Sequence, residues 1–401
     1  MFQIAEKIRA VGGRLYEVGG CVRDKVLGIE PKDYDYCVTG LSGEEFISLF
    51  PDAKIRDKDF PVFDLEGCEF ALARHERKIA IGHDGFQIST DKSLTIEDDL
   101  IRRDLTINSM AYDIIDEKLV DPFGGKRDIE NKIIRATSKA FSEDPLRVYR
   151  AARFAARFDF KIETETLKLM NSLRDELSAL SVERVYEELK KALLTDKPSI
   201  FFYALNQANC LDVHFKEIAD LIGVEQPEKY HPEGDAFVHT MQVLDRCAVA
   251  TNNVEIRFAA LVHDLGKAKT PRENWPHHYN HESLGSECVR NLCGSLKLPN
   301  SWRKAGVTSS REHMRAGKFE DMRDATKVDF LERVSRTTLG LQGLEIIAKS
   351  DSGNEKISFA SLGEKMIKSI NAKTLGIEKE DYKLIKERVR NERIKWLKAK
   401  A

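Results

Sequence analysis

Asp33 and Asp35 stand two residues apart in the run GGCVRDKVLGIEPKDYDYCV, which begins at Gly19. In a strand, residues two apart face the same side. Two carboxylates so placed repel each other, and a cation is their natural partner. Oxygen ligands of this kind suit Mg²⁺, which is commonly held by one or two carboxylates together with substrate phosphates. The Gly19-Gly20 pair just upstream opens a short helix near Val22 and can bring backbone N–H groups close to such phosphates. The chemistry this predicts is nucleotidyl transfer. An isolated Asp-x-Asp is common in polar loops; its coupling to the GG-x-VRD run gives it weight.

Two further constellations lie downstream. In RRDLTINSMAYD, Asp104 and Asn108 are four apart and share a face of a helix predicted over 98–112. Arg103 beside them offers bidentate hydrogen bonds to phosphate, and an Asp–Asn pair can hold ribose hydroxyls. In EDPLRVYRAAR, Asp144 and Arg147 are one helical turn apart, an acceptor next to a fork of donors. Such a pair can meet the Watson–Crick edge of cytosine or adenine, and Arg150 one turn on can reach a phosphate. Taken singly, each motif also reads as a salt-bridged helix start or an intrahelical ion pair.

The elements that must position these residues change character along the chain. A helix over 2–10 ends at Gly12-Gly13. Strand-like segments follow in LYEVGG, DYDYCV, PVFDLEG and CEFALAR, with a hairpin over 112–121 and helices near 21–28, 43–49 and 98–112. Beyond Gly124-Gly125 the pattern is helical, with no convincing strand. Ser142 is the expected N-cap of the next helix, with Pro145 in its first turn. Later helices are predicted at 163–177, 181–194, 198–208, 235–250, 254–265, 281–296 and 299–312, and a charged one closes the chain. The fold class is therefore α+β.

Composition narrows the partners. The 401 residues carry a formal charge of −2, so nucleic acid must be met by local patches, such as Arg388, Arg390 and Lys395 in the last helix. Seven cysteines without a Cys-x-x-Cys pair argue against a zinc ribbon or a disulfide framework and fit a reducing cytoplasm. The N-terminus lacks the apolar core of a signal peptide, and no stretch approaches the ~18 apolar residues of a membrane span.

In their fixed order, GG-x-VRD, DYD, RRDLTIN, DPFGG and EDPLRVYRAARFAARF closely resemble the bacterial class II tRNA nucleotidyltransferases, the CCA-adding enzymes, and the related bacterial poly(A) polymerases. The resemblance implies addition of C, C and A to the tRNA 3′ end from CTP and ATP, by a cytoplasmic monomer or homodimer. It implies a nucleotidyltransferase head with a five-stranded sheet (1–140), a helical neck (141–225), a helical body (226–340) and a tRNA-contacting tail (341–401). Asp33 and Asp35 match the metal carboxylates, with Glu69 a weaker third. Gly20, Arg23, Arg103, Arg147 and Arg150 match phosphate contacts, Asp104 and Asn108 ribose positions, and Asp144 with Arg147 the protein template for C or A. The stretch ARHERKIAIGHDGFQISTDKSLTIEDD occupies the place of a mobile loop that the family needs for adding A; Gly82 and Gly85 would supply its mobility. Poly(A) polymerases share the head motifs but tend to a longer, basic C-terminal extension and lack the segment described next.

VHDLGKAKTP, with His263-Asp264 and His239 upstream, resembles an HD phosphohydrolase domain, found in a subset of CCA-adding enzymes. It implies a divalent transition metal on His239, His263 and Asp264, normally completed by a further Asp. The nearest segment for that ligand, SSREHMRAG, contains His313 and no Asp, so His277, His278 or His281 is expected to stand in, with His281 the candidate ligand.

Overall fold

The computed structural model describes residues 1–57, 62–78, 86–89, 91–378 and 381–400. Chain contacts divide it into two compact units, residues 1–180 with 207–210, and 181–206 with 211–401.

The first unit opens with α1 (Phe2–Ala10), β1 (Arg14–Val18), α2 (Gly20–Val26), β2 (Asp35–Thr39) and α3 (Gly43–Leu49). Strands β3 (Lys54–Asp57), β4 (Val62–Leu65) and β5 (Cys68–Leu72) follow, then a separate hairpin of β6 (His75–Lys78) and β7 (Phe86–Ser89). Next come α4 (Ile96–Ile101), β8 (Ala111–Asp113), β9 (Lys118–Val120) and α5 (Gly125–Glu130). The sheet has seven strands in the order β3-β4-β5-β2-β1-β8-β9, and only β2 and β5 run parallel among its pairs. Five strands were expected. The strand with no sequence signal is β3, whose Lys-Ile-Arg-Asp carries a single apolar side chain, Ile55, itself 51% exposed at the sheet edge.

Period-two alternation places the catalytic candidates. Leu15, Tyr36 and Val38 turn to one face, where they pack with Ile4 and Ile8 of α1 and Phe46 of α3. Tyr16, Val18 and Cys37 turn to the other, against Ile96 and Leu100 of α4. Asp35 shares the parity of Cys37 and so belongs to the α4 face. Its register partners are Val18 on β1 and Glu69 on β5.

Beyond the head, β10 (Ile133–Ile134), α6 (Leu146–Phe158) and β11 (Lys161–Ile162) form a small step in which β10 pairs in parallel with β11. Two-residue strands leave no periodicity to read, which is why this segment looks wholly helical in sequence. Gly82 and Gly85, expected in a mobile loop, lie outside the described residues; the flanking β6 and β7 pair antiparallel.

The named elements of the second unit are all helices among its described residues, with one isolated β-bridge between Glu225 and Asp235. A core of Val243, Cys247, Ala259, Leu331, Leu344, Ile347, Phe359 and Leu397 runs from the helix Ala236–Ala250 to the last helix, Tyr382–Lys398. The closing helices thus share one core with the His-Asp segment. In the last helix Arg390 holds Asp329 by two hydrogen bonds of 2.6 and 2.8 Å, and Lys395 pairs with Glu392. No helix among the described residues is long and apolar enough to cross a membrane.

Candidate active site of the head and candidate metal centre of the helical unit

In the head, Asp33 lies just ahead of β2 and Asp35 is its first residue. The strand reading of Asp33 therefore needs correction: the register that aligns the carboxylates is that of Asp35 with Glu69 across the parallel β2–β5 pair. Desolvation first, then the charge of Glu69, raises the Asp35 pKa; Asp33 adds to the rise and Arg103 opposes it. Oxygen-only donors whose charges add up at Asp35 fit a hard divalent cation. Glu69 is at present held by Arg56 at 3.0 Å, which also binds Asp64 at 2.9 Å.

Gly19 stands between β1 and α2 with φ +72, and a Cβ there would lie 2.7 Å from Nη1 of Arg103. Only glycine accepts both the conformation and the approach. Arg103 donates to Asp99 Oδ2 through Nε at 3.1 Å and Nη2 at 2.9 Å, while Arg102 binds the other oxygen. Asp99 is 1% exposed. Burial opposes its ionisation, but the charges of Arg103 and Arg102 win and hold its carboxyl below the ordinary value. Asp99 was missed in the sequence, although its i, i+3 and i, i+4 spacing to the two arginines is a readable signal.

Asp99→Asn leaves two guanidinium groups beside a neutral amide and is expected to destabilise the protein by about 3 kcal/mol at neutral pH. The sign in acid follows from the lowered pKa. The stabilisation is complete above the unfolded value of about 3.9 and is lost as pH falls through the folded one. Urea unfolding of the two proteins should therefore differ at pH 7 and begin to converge only as pH falls below about 4; a constant gap down to the lowest pH would count against this role.

The helix expected over 98–112 stops at Ile101, and Thr106–Asn108 is a single 3₁₀ turn. Asp104 and Asn108 meet nonetheless, because the turn brings Asn108 Nδ2 within 3.0 Å of Asp104 Oδ1. Asn108 Oδ1 accepts from Arg23 Nη1 at 2.6 Å, and Arg150 Nε donates to Asp104 Oδ2 at 2.7 Å. Four predicted residues, Arg23, Asn108, Asp104 and Arg150, thus form one chain of hydrogen bonds from α2 to α6. Arg23 is 4% exposed and lies 5.2 and 5.1 Å from the ring centres of Phe154 and Phe158. It binds Asp24 as well, so three of its five N–H donors are engaged within the protein. Gly20 begins α2 beside it.

Asp144 is not within the helix as predicted but in extended backbone just before it, with Pro145 rather than Ser142 as the N-cap. Its Oδ1 accepts from Leu146 N at 3.0 Å and its carbonyl from Arg147 N at 3.0 Å. Arg147 Nη1 donates to Ala140 O at 2.7 Å. The proline forces the chain into the helix one residue after Asp144, so Asp144 caps the turn on which Arg147 sits.

In the second unit, His239 comes from the helix Ala236–Ala250, and His263 and Asp264 follow the helix Val254–Leu261. The carboxylate that the sequence reading did not supply, and a candidate fourth ligand, is Asp351, near the end of the helix Gly340–Ser352. Its Oδ1 lies 2.9 Å from His239 Nε2 and 3.6 Å from His263 Nε2; Asp264 Oδ2 lies 3.2 Å from His263 Nε2 and 3.8 Å from His239 Nε2. Arg246 Nε clasps the carbonyl of Ser350 at 2.5 Å, which fixes the end of that helix. The expected stand-in, His281, does not join this set: its Nε2 faces Asp264 Oδ1 and His313.

The histidine orientations fit a metal. His263 Nδ1 donates to Ala260 O at 2.7 Å and His239 Nδ1 meets Glu233 Oε1 at 2.6 Å, which turns both Nε2 atoms inward. His263 Nε2 and Asp264 Oδ1 are buried without a hydrogen-bond partner. Burial pushes the His263 pKa down, but the negative charges of Asp264 and Asp351, which its Nε2 faces, outweigh it and lift it to about 10. A cation is wanted there, a proton or a metal. Lys267 donates to Asp264 Oδ2 at 2.6 Å.

Comparison with known proteins gives family matches in both units. Residues 15–135 match the family of the poly A polymerase head domain, residues 159–222 one described as "Probable RNA and SrmB- binding site of polymerase A", and residues 236–397 the HD domain family. Fold and site together define a nucleotidyltransferase head carried in one chain with an HD domain, and both families use divalent metal ions. Two relatives called multifunctional CCA protein, from Herminiimonas arsenicoxydans and Shewanella denitrificans, are 46% and 44% identical over 325 and 327 residues, 80% of this chain and 78% of each relative. The chain belongs to the multifunctional CCA protein family. A solved Thermotoga maritima CCA-adding enzyme complexed with tRNA has a TM-score of 0.68 at 21% identity, covering 99% of this chain and 90% of that one. A CCA-adding enzyme solved with ATP has a TM-score of 0.67 at 20% identity, covering 98% and 88%. At these identities the likeness concerns the fold.

Proposed function

We propose that this protein adds C, C and A to the 3′ end of tRNA from CTP and ATP, without a nucleic-acid template, in the cytoplasm. The observation that carries the reading is the convergence of Asp33, Asp35 and Glu69 with Arg103 beside the Gly19 turn, in a chain of this family. Asp33 and Asp35, with Glu69 near them, would hold Mg²⁺, which supplies charge neutralisation of the triphosphate and a lower pKa for the attacking ribose hydroxyl. The chain itself orients the reactants. Arg103, fixed by Asp99 against Gly19, directs a guanidinium at the phosphates. The Asp104–Asn108 pair, braced by Arg23 and Arg150, offers its polar atoms to the ribose. Asp144 and Arg147 form the edge against which a base is chosen. In the helical unit, His239, His263, Asp264 and Asp351 would hold a divalent metal for hydrolysis of a phosphate ester.

The test is a tRNA lacking its CCA end, incubated with CTP alone and with CTP plus ATP. The expected products are two added residues and then three. A long ladder of A would assign the head to poly(A) synthesis instead. In the same assay Asp144→Ala should raise misincorporation of UTP and GTP at least tenfold while changing tRNA affinity less than threefold; unchanged selectivity would remove Asp144 from the template role.

A further inference from the structure

We propose that a basic groove of the helical unit, walled by Arg290, Arg303, Lys304 and Arg336, is a docking site for the sugar–phosphate backbone of RNA. The site rests on the reading of tRNA as the substrate. It lies outside residues 159–222, which match the RNA-binding family, and outside the tail 341–401 that was expected to contact tRNA.

The groove encloses about 560 Å³. Arg290 comes from the helix His281–Ser295, Arg303 and Lys304 from Asn300–Gly317, and Arg336 directly follows Asp324–Ser335. Three helices thus bring four cations to one space, and among the described residues no carboxylate lines it. In a chain with 64 basic and 66 acidic residues this is a local concentration of one sign. Like charges set side by side cost stability, and a polyanion laid between them removes the cost.

The hydrogen bonds leave these charges open to a ligand. Arg290 Nη1 donates to Glu287 Oε2 at 3.1 Å and Arg303 Nη2 to Asn300 Oδ1 at 2.8 Å, so each engages one of its five N–H donors. Arg336 stands 3.9 Å from Glu332, whose other oxygen accepts from Arg393 of the last helix. No ion pair engages Lys304 among the described residues. Thr308 and Thr337 donate their hydroxyl hydrogens to the carbonyls of Lys304 and Val334, so the charged groups rather than these hydroxyls meet the ligand. The last helix is different: Arg390 is forked onto Asp329 and Lys395 pairs with Glu392.

All four cationic side chains are exposed. A small anion is recognised by polar groups converging in an enclosed pocket, whereas a nucleic-acid backbone is met by exposed Arg and Lys spread along a surface. Neither an aromatic ring nor a side-chain amide lines the groove, so nothing there reads a base edge. The contact is to phosphates and does not depend on base sequence.

The experiment measures binding of the full chain to tRNA lacking its CCA end over a series of salt concentrations. Arg303→Gln combined with Lys304→Gln should weaken binding at least about tenfold at about 0.1 M salt and reduce the slope of log affinity against log salt by about 2. Arg390→Gln, which removes a charge already held by Asp329, should change affinity less than about twofold. Unchanged affinity and slope in the double variant would overturn the groove while leaving the proposed function standing; a parent that does not bind this tRNA would overturn the proposed function itself. A larger loss from Arg390→Gln than from the double variant would move the contact to the last helix and overturn the groove. Amine-reactive labelling of Lys304 in the parent, read by mass spectrometry, needs no substitution, and tRNA should block it. Protection by inorganic tripolyphosphate but not by tRNA would make the groove a site for a small anion and overturn the RNA assignment.

Discussion

Asp35→Asn is expected to lower CMP incorporation onto truncated tRNA by about 10³-fold, a loss of about 4 kcal/mol of transition-state stabilisation. The substitution keeps the shape of the side chain between its register partners Val18 and Glu69 and removes only its charge. Its effect on stability should run the other way. Desolvation, and after it Glu69, raises the Asp35 pKa, so the ionised group costs the fold stability at neutral pH, a cost that vanishes in acid below the unfolded pKa. The asparagine variant should therefore unfold at the same temperature as the parent at pH 7 or higher. Loss of activity with no loss of stability is the signature of a site held together against its own electrostatics for a ligand's sake. Single-turnover incorporation and a thermal melt on one preparation decide it. Activity within tenfold of the parent would remove Asp35 from the metal site.

The second large effect is expected from Asp351→Asn. This residue faces both His239 and His263, and its charge is the one member of the set that comes from a helix remote in sequence. Desolvation works against its ionisation, yet the hydrogen bond from His239 and the charge of His263 hold its carboxyl well below the usual range. The amide keeps the hydrogen-bonding shape and removes the anionic ligand. Hydrolysis of a 2′,3′-cyclic nucleotide supported by Mn²⁺ should fall at least about 100-fold. CMP incorporation by the same preparation separates loss of the centre from loss of the folded chain. Hydrolysis at the parental rate would mean that the metal is held elsewhere.

The head was legible because its chemistry is packed into short runs. Gly19, Asp35, Arg103, Asp104 and Arg150 could each be named from local spacing, and the structure sets them in one unit. The local geometry was less legible. Asp104 and Asn108 were expected to meet on a helix face and meet across a 3₁₀ turn; Asp144 was expected inside a helix and precedes it. Helix and turn place residues four apart at similar distances, so pattern alone does not separate them. Asp99 lay one turn from RRD and escaped notice because buried ion pairs and solvated ones look alike in sequence.

Asp351 marks the boundary. Sequence alone determined the α+β division, the order of the head motifs, the Asp35 and Arg103 positions, and the existence of a His-Asp segment able to take a metal. These depend on neighbours along the chain, where side-chain period and backbone preference act directly. Tertiary structure alone decided which aspartate lies beside that segment, that His281 turns to His313, and that one carboxylate, Asp264, faces both groups. A metal shell is assembled from helices whose spacing in sequence is unconstrained. Only the packing of their apolar faces, and the contact of Gly266 with the helix that bears His281, brings the ligands within reach of one another.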